Sequence, residues 1–259
     1  MTSSPLALMR AWPASAVAVW AAARDAGRCA ADDVLHTLHD YAQVHELDPG
    51  GDALALLATV SGNAHMCVRM PAAGDAQGLP PDRATDAAMT AGEVILIDDR
   101  AAGATGPTRP LALVPFGTAE RCRWQSMRYD AEFAVDQLLS DGPLGEIEYE
   151  LREATGDAAT IIGALSGARA ASPADLRDAL AARVAHARID LPPHDNPRID
   201  RVLASSAQID AIVSLTGAGA LGDSGSQVAS ADDQLRRLSA LSRRARSAAV
   251  NTLIVEYSR

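Results

Sequence analysis

The sequence predicts an α+β fold, a small antiparallel sheet with N-terminal helices followed by a mainly helical C-terminal half. Three observations predict it. The hydrophobic period changes from helical to two-residue after about residue 50. Short apolar runs bounded by Gly, Pro and Asp crowd residues 92–129, and helical spacing dominates beyond Asp130. The halves are therefore placed at 1–129 and 130–259, as two domains or as one integrated domain. With 259 residues of which 48% are hydrophobic, the chain can bury a sizeable core.

The elements follow in order. A first helix starts at Pro13, a favourable first position, and stops at Gly27. A second is predicted from about Ala30 to Leu47, where Val34, Leu35, Leu38, Tyr41 and Ala42 share a face. After Asp48-Pro49-Gly50-Gly51, the alternation of Leu54, Leu56, Ala58 and Val60, the turn Ser61-Gly62-Asn63 and the run His65–Met70 read as a hairpin. Residues 82–91 leave room for a short helix; GEVILID (92–98), RPLALVPF (109–116) and 121–129 are expected strands. Four or five strands result, predicted antiparallel because the linkers are short. Residues 131–139 suggest a helix, whereas 146–153 fits either period. Ser172-Pro173-Ala174-Asp175 supplies the start of a helix reaching about Arg188, and 198–215 forms another. Ser230 is the expected cap of the last helix, which runs to about Tyr257, and the Gly/Ser-rich stretch 216–230 is the expected flexible connector.

Composition excludes whole classes of chemistry. All 23 basic residues are Arg, so phosphate-loop ATPases, pyridoxal enzymes and Schiff-base aldolases, which need a lysine, are ruled out in their usual forms. A net charge of -10 opposes nucleic-acid binding. No apolar run is long enough to cross a membrane. Arg10 followed by AWPASAVAVWAAA imitates a signal peptide, but its Ala-rich character and Pro13 favour a buried first helix. Cys29, Cys67 and Cys122 are odd in number and widely spaced, which points to core positions in a reducing cytoplasm.

The least ordinary stretch is RMPAAGDAQGLPPD, 69–82. Gly74, Gly78 and Pro80-Pro81 alternate permissive and locked backbone, suiting a fixed path that connects strands or holds a ligand, with Asp75, Arg83 and Asp98 as candidate ligand contacts. The string PAAGDAQGLPP resembles a loop in a family of uncharacterised actinobacterial proteins, and the Ala-rich, Arg-for-Lys usage is of the same high-GC type. That resemblance covers about a dozen residues and implies no activity.

Other motifs weigh less. Residues 217–222 match the G-x-G-x-x-G spacing that resembles a dinucleotide fingerprint, yet too little chain follows to complete that fold. Residues 222–225, GDSG, resemble the serine motif of chymotrypsin-like proteases without its histidine segment. Asp32, His36 and His39 share one side of the second helix and could ligate zinc, or simply form a solvated face. His45 is expected in the core and His194 in a polar turn. On the last helix Leu238, Leu241, Ala245 and Ala248 form a seam of small and apolar residues, flanked by Arg236, Arg243 and Arg244. That seam suits packing within the chain or an interface with a partner or a twofold mate.

No cluster places a nucleophile, a base and an orienting group together. The expectation is accordingly a cytoplasmic, non-catalytic protein of association or assembly, acting with a protein partner or as a homodimer, without cofactor, nucleic acid or membrane. The competing expectation is a small-molecule binder or enzyme with its site near the 71–81 loop.

Overall fold

The computed structural model describes the main chain of residues 8–139, 141–166, 173–217 and 225–259, with side chains at all of these except 157–166, 173–174, 176, 216–217 and 225–232. Two compact units divide the chain: Met1–Asp141, Ile189–Asp195 and Val250–Arg259 form the first, Gly142–Arg188 and Asn196–Ala249 the second.

In the first unit α1 (Pro13–Asp25) begins on Pro13 as expected. It is apolar all round and small, so it is buried on nearly every side. The predicted second helix is shorter than its periodicity suggested: α2 covers Ala31–Leu38. Beyond it the main-chain N–H groups of Gln43 and Val44 donate to Ala119 and Glu120, drawing the chain into strand β1 (Val44–Asp48). The predicted strand at 54–60 is also corrected. After β2 (Gly51–Asp52) the chain forms helix α3 (Ala53–Val60), whose end is capped by Asp52 Oδ1 accepting from Ala55 N at 2.9 Å. Leu56, Leu57 and Val60 then share a buried face, a spacing that fits a helix as well as alternation fits a strand.

The remaining elements fall on the expected runs: β3 (His65–Arg69), α4 (Arg83–Ala91), β4 (Val94–Asp98), β5 (Leu111–Gly117) and β6 (Arg121–Arg128). The sheet is α+β in character and mostly antiparallel, with six strands in the order β2-β1-β6-β5-β4-β3. Of the two strands that the sequence did not predict, β1 comes from the end of the stretch that read as helix and β2 from the turn after it, and β1 pairs parallel to β6. At the β5–β6 turn only glycine fits, since Gly117 has φ 149° and a Cβ there would lie 2.0 Å from Arg121 O. The helix expected over 131–139 shrinks to a 3₁₀ turn, Val135–Leu138, because the main chain of Phe133 pairs with Thr108 and holds that segment extended.

One sheet face is covered unevenly. Cys67, Val94, Leu96, Ala112 and Val114 are buried under Ala84 and Ala88 of α4, Leu79, Tyr129 and Val135. By register this face continues onto β6 as Arg121, Arg123 and Gln125, and there all three are exposed. The edge strand β3 is closed differently. Asn251 accepts from Val68 N through Oδ1 (2.8 Å) and donates to Val68 O through Nδ2 (3.0 Å), standing in for a neighbouring strand.

The second unit is helical: α5 (Leu144–Ser166), α6 (Pro173–Ala187), α7 (Pro197–Gly217) and the residues of α8 (Gly225–Tyr257) up to Ala249. Ile147, Leu151 and Ala154 form the buried stripe that settles residues 146–153 as helix. α7 packs on both α5 and α6, consistent with its broad buried face from Ile199 to Ile212. Helix α8 starts at Gly225, so Ser230 lies inside it rather than at its cap, as does part of the expected connector; Ser172 and residues 218–224, with most of the G-x-G-x-x-G and GDSG strings, lie outside the described residues. No helix among the described residues is long and apolar enough to cross a membrane.

Candidate functional site

The open edge of the sheet is built by β1. Two-residue β2 pairs only with Glu46 and Leu47, so Val44 and His45 lie beyond its reach. There the exposed side chains of Val44 (46%) and Leu54 (58%) share a groove of about 270 Å³ with Leu35, His39 and Asp52. On the uncovered face beside it, Glu46 sits between Arg121 (3.2 Å) and Arg123 (3.5 Å). These exposed pairs contribute little stability and leave a polar, hydrated platform next to an apolar slot.

His45 points the other way and anchors the edge. Trp124 Nε1 donates to His45 Nδ1 at 3.0 Å, and His45 Nε2 lies 2.8 Å from Leu38 O. The indole can only donate, which makes Nδ1 the acceptor and Nε2–H the donor of a neutral ring. Burial pushes its pKa below the ordinary value. The unfolded chain therefore takes up the proton first: this contribution to stability is complete above about pH 6.5 and is lost as pH falls from there through the lower folded value. His45→Gln, which can donate and accept in the same places without titrating, is expected to flatten the fall in melting temperature between pH 7.5 and 5.0. An unchanged slope would remove His45 from the acid response.

A second, larger opening of about 620 Å³ lies where α1, α3 and α8 end, within the first unit. Its rim carries Asp25, Asn63, His65 and Tyr257. Asp25 Oδ2 accepts from Gly62 N (2.7 Å), Asn63 Nδ2 donates to Thr59 O (2.9 Å), and His65 Nε2 meets Ala104 O (3.1 Å).

The 69–82 loop turns its polar groups on itself. Ala72 and Asp75 exchange main-chain bonds (2.9 and 2.8 Å), Asp75 Oδ1 accepts from Gln77 N (3.1 Å), and Gln77 Oε1 accepts from Met70 N (2.8 Å). Gly74 and Gly78 take the positive φ values that this path needs, 84° and 80°. Asp82 then caps α4 through Ala84 N (2.8 Å) and also accepts from Asp130 N (3.0 Å). The three candidate ligand contacts are not brought together. Asp98 pairs with His65, at the far end of β3 from the loop, four residue steps or about 13 Å away. It is buried and forked by Arg100 (2.8 and 2.6 Å), which holds its carboxyl below the usual range. Arg83 is exposed on α4.

Asp32, His36 and His39 are all exposed, α2 ends before His39, and no group of three metal-ligating side chains converges among the described residues. The seam of α8 is occupied by the chain's own helices: Leu238, Ala245 and Ala248 are buried, and Ser242 Oγ donates to Ser206 O (3.0 Å). Arg244 is bonded to Glu150, Arg236 to Asp233 (3.1 Å) and Arg243 to Ser239 (2.8 Å), while Leu241 is half-buried. A twofold mate would have to displace this packing to reach the seam. Sequence reasoning missed the β1 groove and the three-helix cleft. Asp52 as a cap was the signal that would have turned Leu54 outward on a helix, and Gly62 after an apolar helix would have marked the cleft's edge.

Fold and site define a two-unit α+β protein, a sheet unit with an open strand edge and a helical unit. Residues 14–137 match the family model described as Rv1486c-like protein, N-terminal domain, and residues 145–247 the one described as Rv1486c-like protein, C-terminal domain; the chain belongs to this Rv1486c-like family. It is 28% identical over 287 residues, 93% of this chain and 97% of each relative, to two Mycobacterium tuberculosis proteins: "Uncharacterized protein MT1533" of strain CDC 1551 / Oshkosh and "Uncharacterized protein Rv1486c" of strain ATCC 25618 / H37Rv. No solved structure matches the chain. The family agrees with the resemblance of the PAAGDAQGLPP loop to actinobacterial proteins.

Proposed function

We propose that the protein is a non-catalytic association protein which receives a protein partner at the open edge of β1. The observation that carries this reading is the groove in which Val44 and Leu54, two of the few large apolar side chains left exposed among the described residues, flank a strand that β2 covers over two residues only. An exposed edge beside an apolar slot supports addition of an extended segment, main-chain bonds supplying affinity and the slot a side-chain anchor. The whole formal net charge of -10 falls on the first unit, the second being balanced, which favours a basic partner over nucleic acid. Three free cysteines suit work in a reducing compartment such as the cytoplasm.

A photo-crosslinking amino acid at position 54, introduced in the native host, tests the reading. One discrete adduct is expected, lost on Val44→Asp and absent when the crosslinker stands at the equally exposed Tyr149. Adducts of equal yield at both positions, or none at 54, would overturn it. The adduct's mass separates another protein from a second copy of this chain.

A further inference from the structure

We infer that the cleft where α1, α3 and α8 end binds a small organic cation, an amine or guanidine attached to an apolar segment. This is independent of the β1 edge. The cleft's volume, about 620 Å³, is of the size that holds small molecules, and Val60 and Ile254 contribute apolar lining. The polar rim presents several acceptors. Asn63 gives one Nδ2 hydrogen to Thr59 O and presents Oδ1 as an acceptor; the His65 nitrogen that meets Ala104 O donates, and in the neutral ring the other nitrogen is an acceptor. Asp25 accepts from Gly62 N and keeps further lone pairs. Three helices also end here, at Asp25, Val60 and Tyr257, and each C-terminus carries about half a negative charge.

An uncharged or anionic ligand would meet this field at a disadvantage, whereas an ammonium or guanidinium satisfies the acceptors and can rest against the Tyr257 ring. Two arginines bear on the choice. Arg24 is already bonded to Asp25 (3.3 Å) and Ser61 Oγ (2.9 Å), while Arg259 lines the cleft and competes with a ligand cation for the same field.

Calorimetric titration of the full chain with spermidine, and with 1,5-pentanediol as the uncharged control, tests the assignment. Spermidine is expected to bind saturably and the diol not at all. Asp25→Asn, which keeps the acceptor for Gly62 N, should weaken binding about tenfold, and Arg259→Ala should strengthen it. Ala26→Trp fills the cleft from an exposed position and should abolish binding with no change in the thermal melt. Absence of saturable binding overturns the proposal. So does spermidine binding that Ala26→Trp leaves intact, since that would be general attraction to an acidic surface. If either cleft variant loses its cooperative melt, Arg259→Ala decides: tighter binding supports the site and unchanged binding overturns it.

Discussion

Asn251→Ala is expected to lower the unfolding free energy by about 3–5 kcal/mol. Asn251 is fully buried, and its amide answers both main-chain groups of Val68 at the edge of the sheet. Truncation removes the acceptor for Val68 N and the donor for Val68 O where water does not reach, and it leaves a cavity beside fully buried Val68 and Val250. Asn251→Asp separates the two halves of the clamp: the carboxylate can still accept from Val68 N but opposes Val68 O with a buried charge, so it should be no better than alanine. Urea unfolding followed by tryptophan fluorescence reads the effect in the first unit, which contains Trp12, Trp20 and Trp124. A loss below about 1 kcal/mol for the alanine variant would mean that α8 covers the edge without being needed to satisfy it.

Such a clamp also shows what could be read in the sequence. Elements whose signals are local were legible: the Pro13 start of α1, the apolar runs of β4 and β5 between Gly, Pro and Asp, and the helical stripe of α7. Elements fixed by distant partners were not. Val44–Asp48 lies in a stretch with helical spacing, and it becomes a strand because β6, far along the chain, pairs with it and the turn before β6 offers the Ala119 and Glu120 carbonyls to Gln43 and Val44. Ala53–Val60 reads as a strand by its alternation, but Leu and Ala suit both periods, and the Asp52 cap marks the helix it forms. Phe133 was pulled out of a predicted helix by Thr108. The sites follow the same rule. Asp75 stands in a conspicuous loop, and the bonds the structure gives it there serve the loop's own path. The groove at Val44 and Leu54 and the cleft at Asp25 and His65 join residues well separated in sequence, so no motif announces them.

The second large effect is expected at Glu93, which serves a helix 79 positions earlier in the chain. The N-terminus of α1 has no local side-chain cap: Trp12 takes a left-handed conformation (φ 71°) and makes no side-chain capping bond, and Pro13 has no N–H. Glu93 fills that place from the start of β4, accepting from Ala14 N (2.8 Å) with Oε1 and from Ser15 N and Ser15 Oγ (3.0 Å each) with Oε2. Only 2% exposed, the carboxylate is stabilised by these donors and by the positive end of the helix. Glu93→Ala should therefore cost about 3–5 kcal/mol, because it removes the acceptor for both N–H groups in a buried site. Glu93→Gln keeps the shape and one acceptor oxygen but turns an NH₂ toward a donor, and about half that loss is expected. Urea unfolding measures the cost, and hydrogen exchange at the amides of Ala14 and Ser15 localises it. A glutamine variant within about 0.5 kcal/mol of the wild type would sink the idea that the charge of Glu93 holds α1 to the sheet.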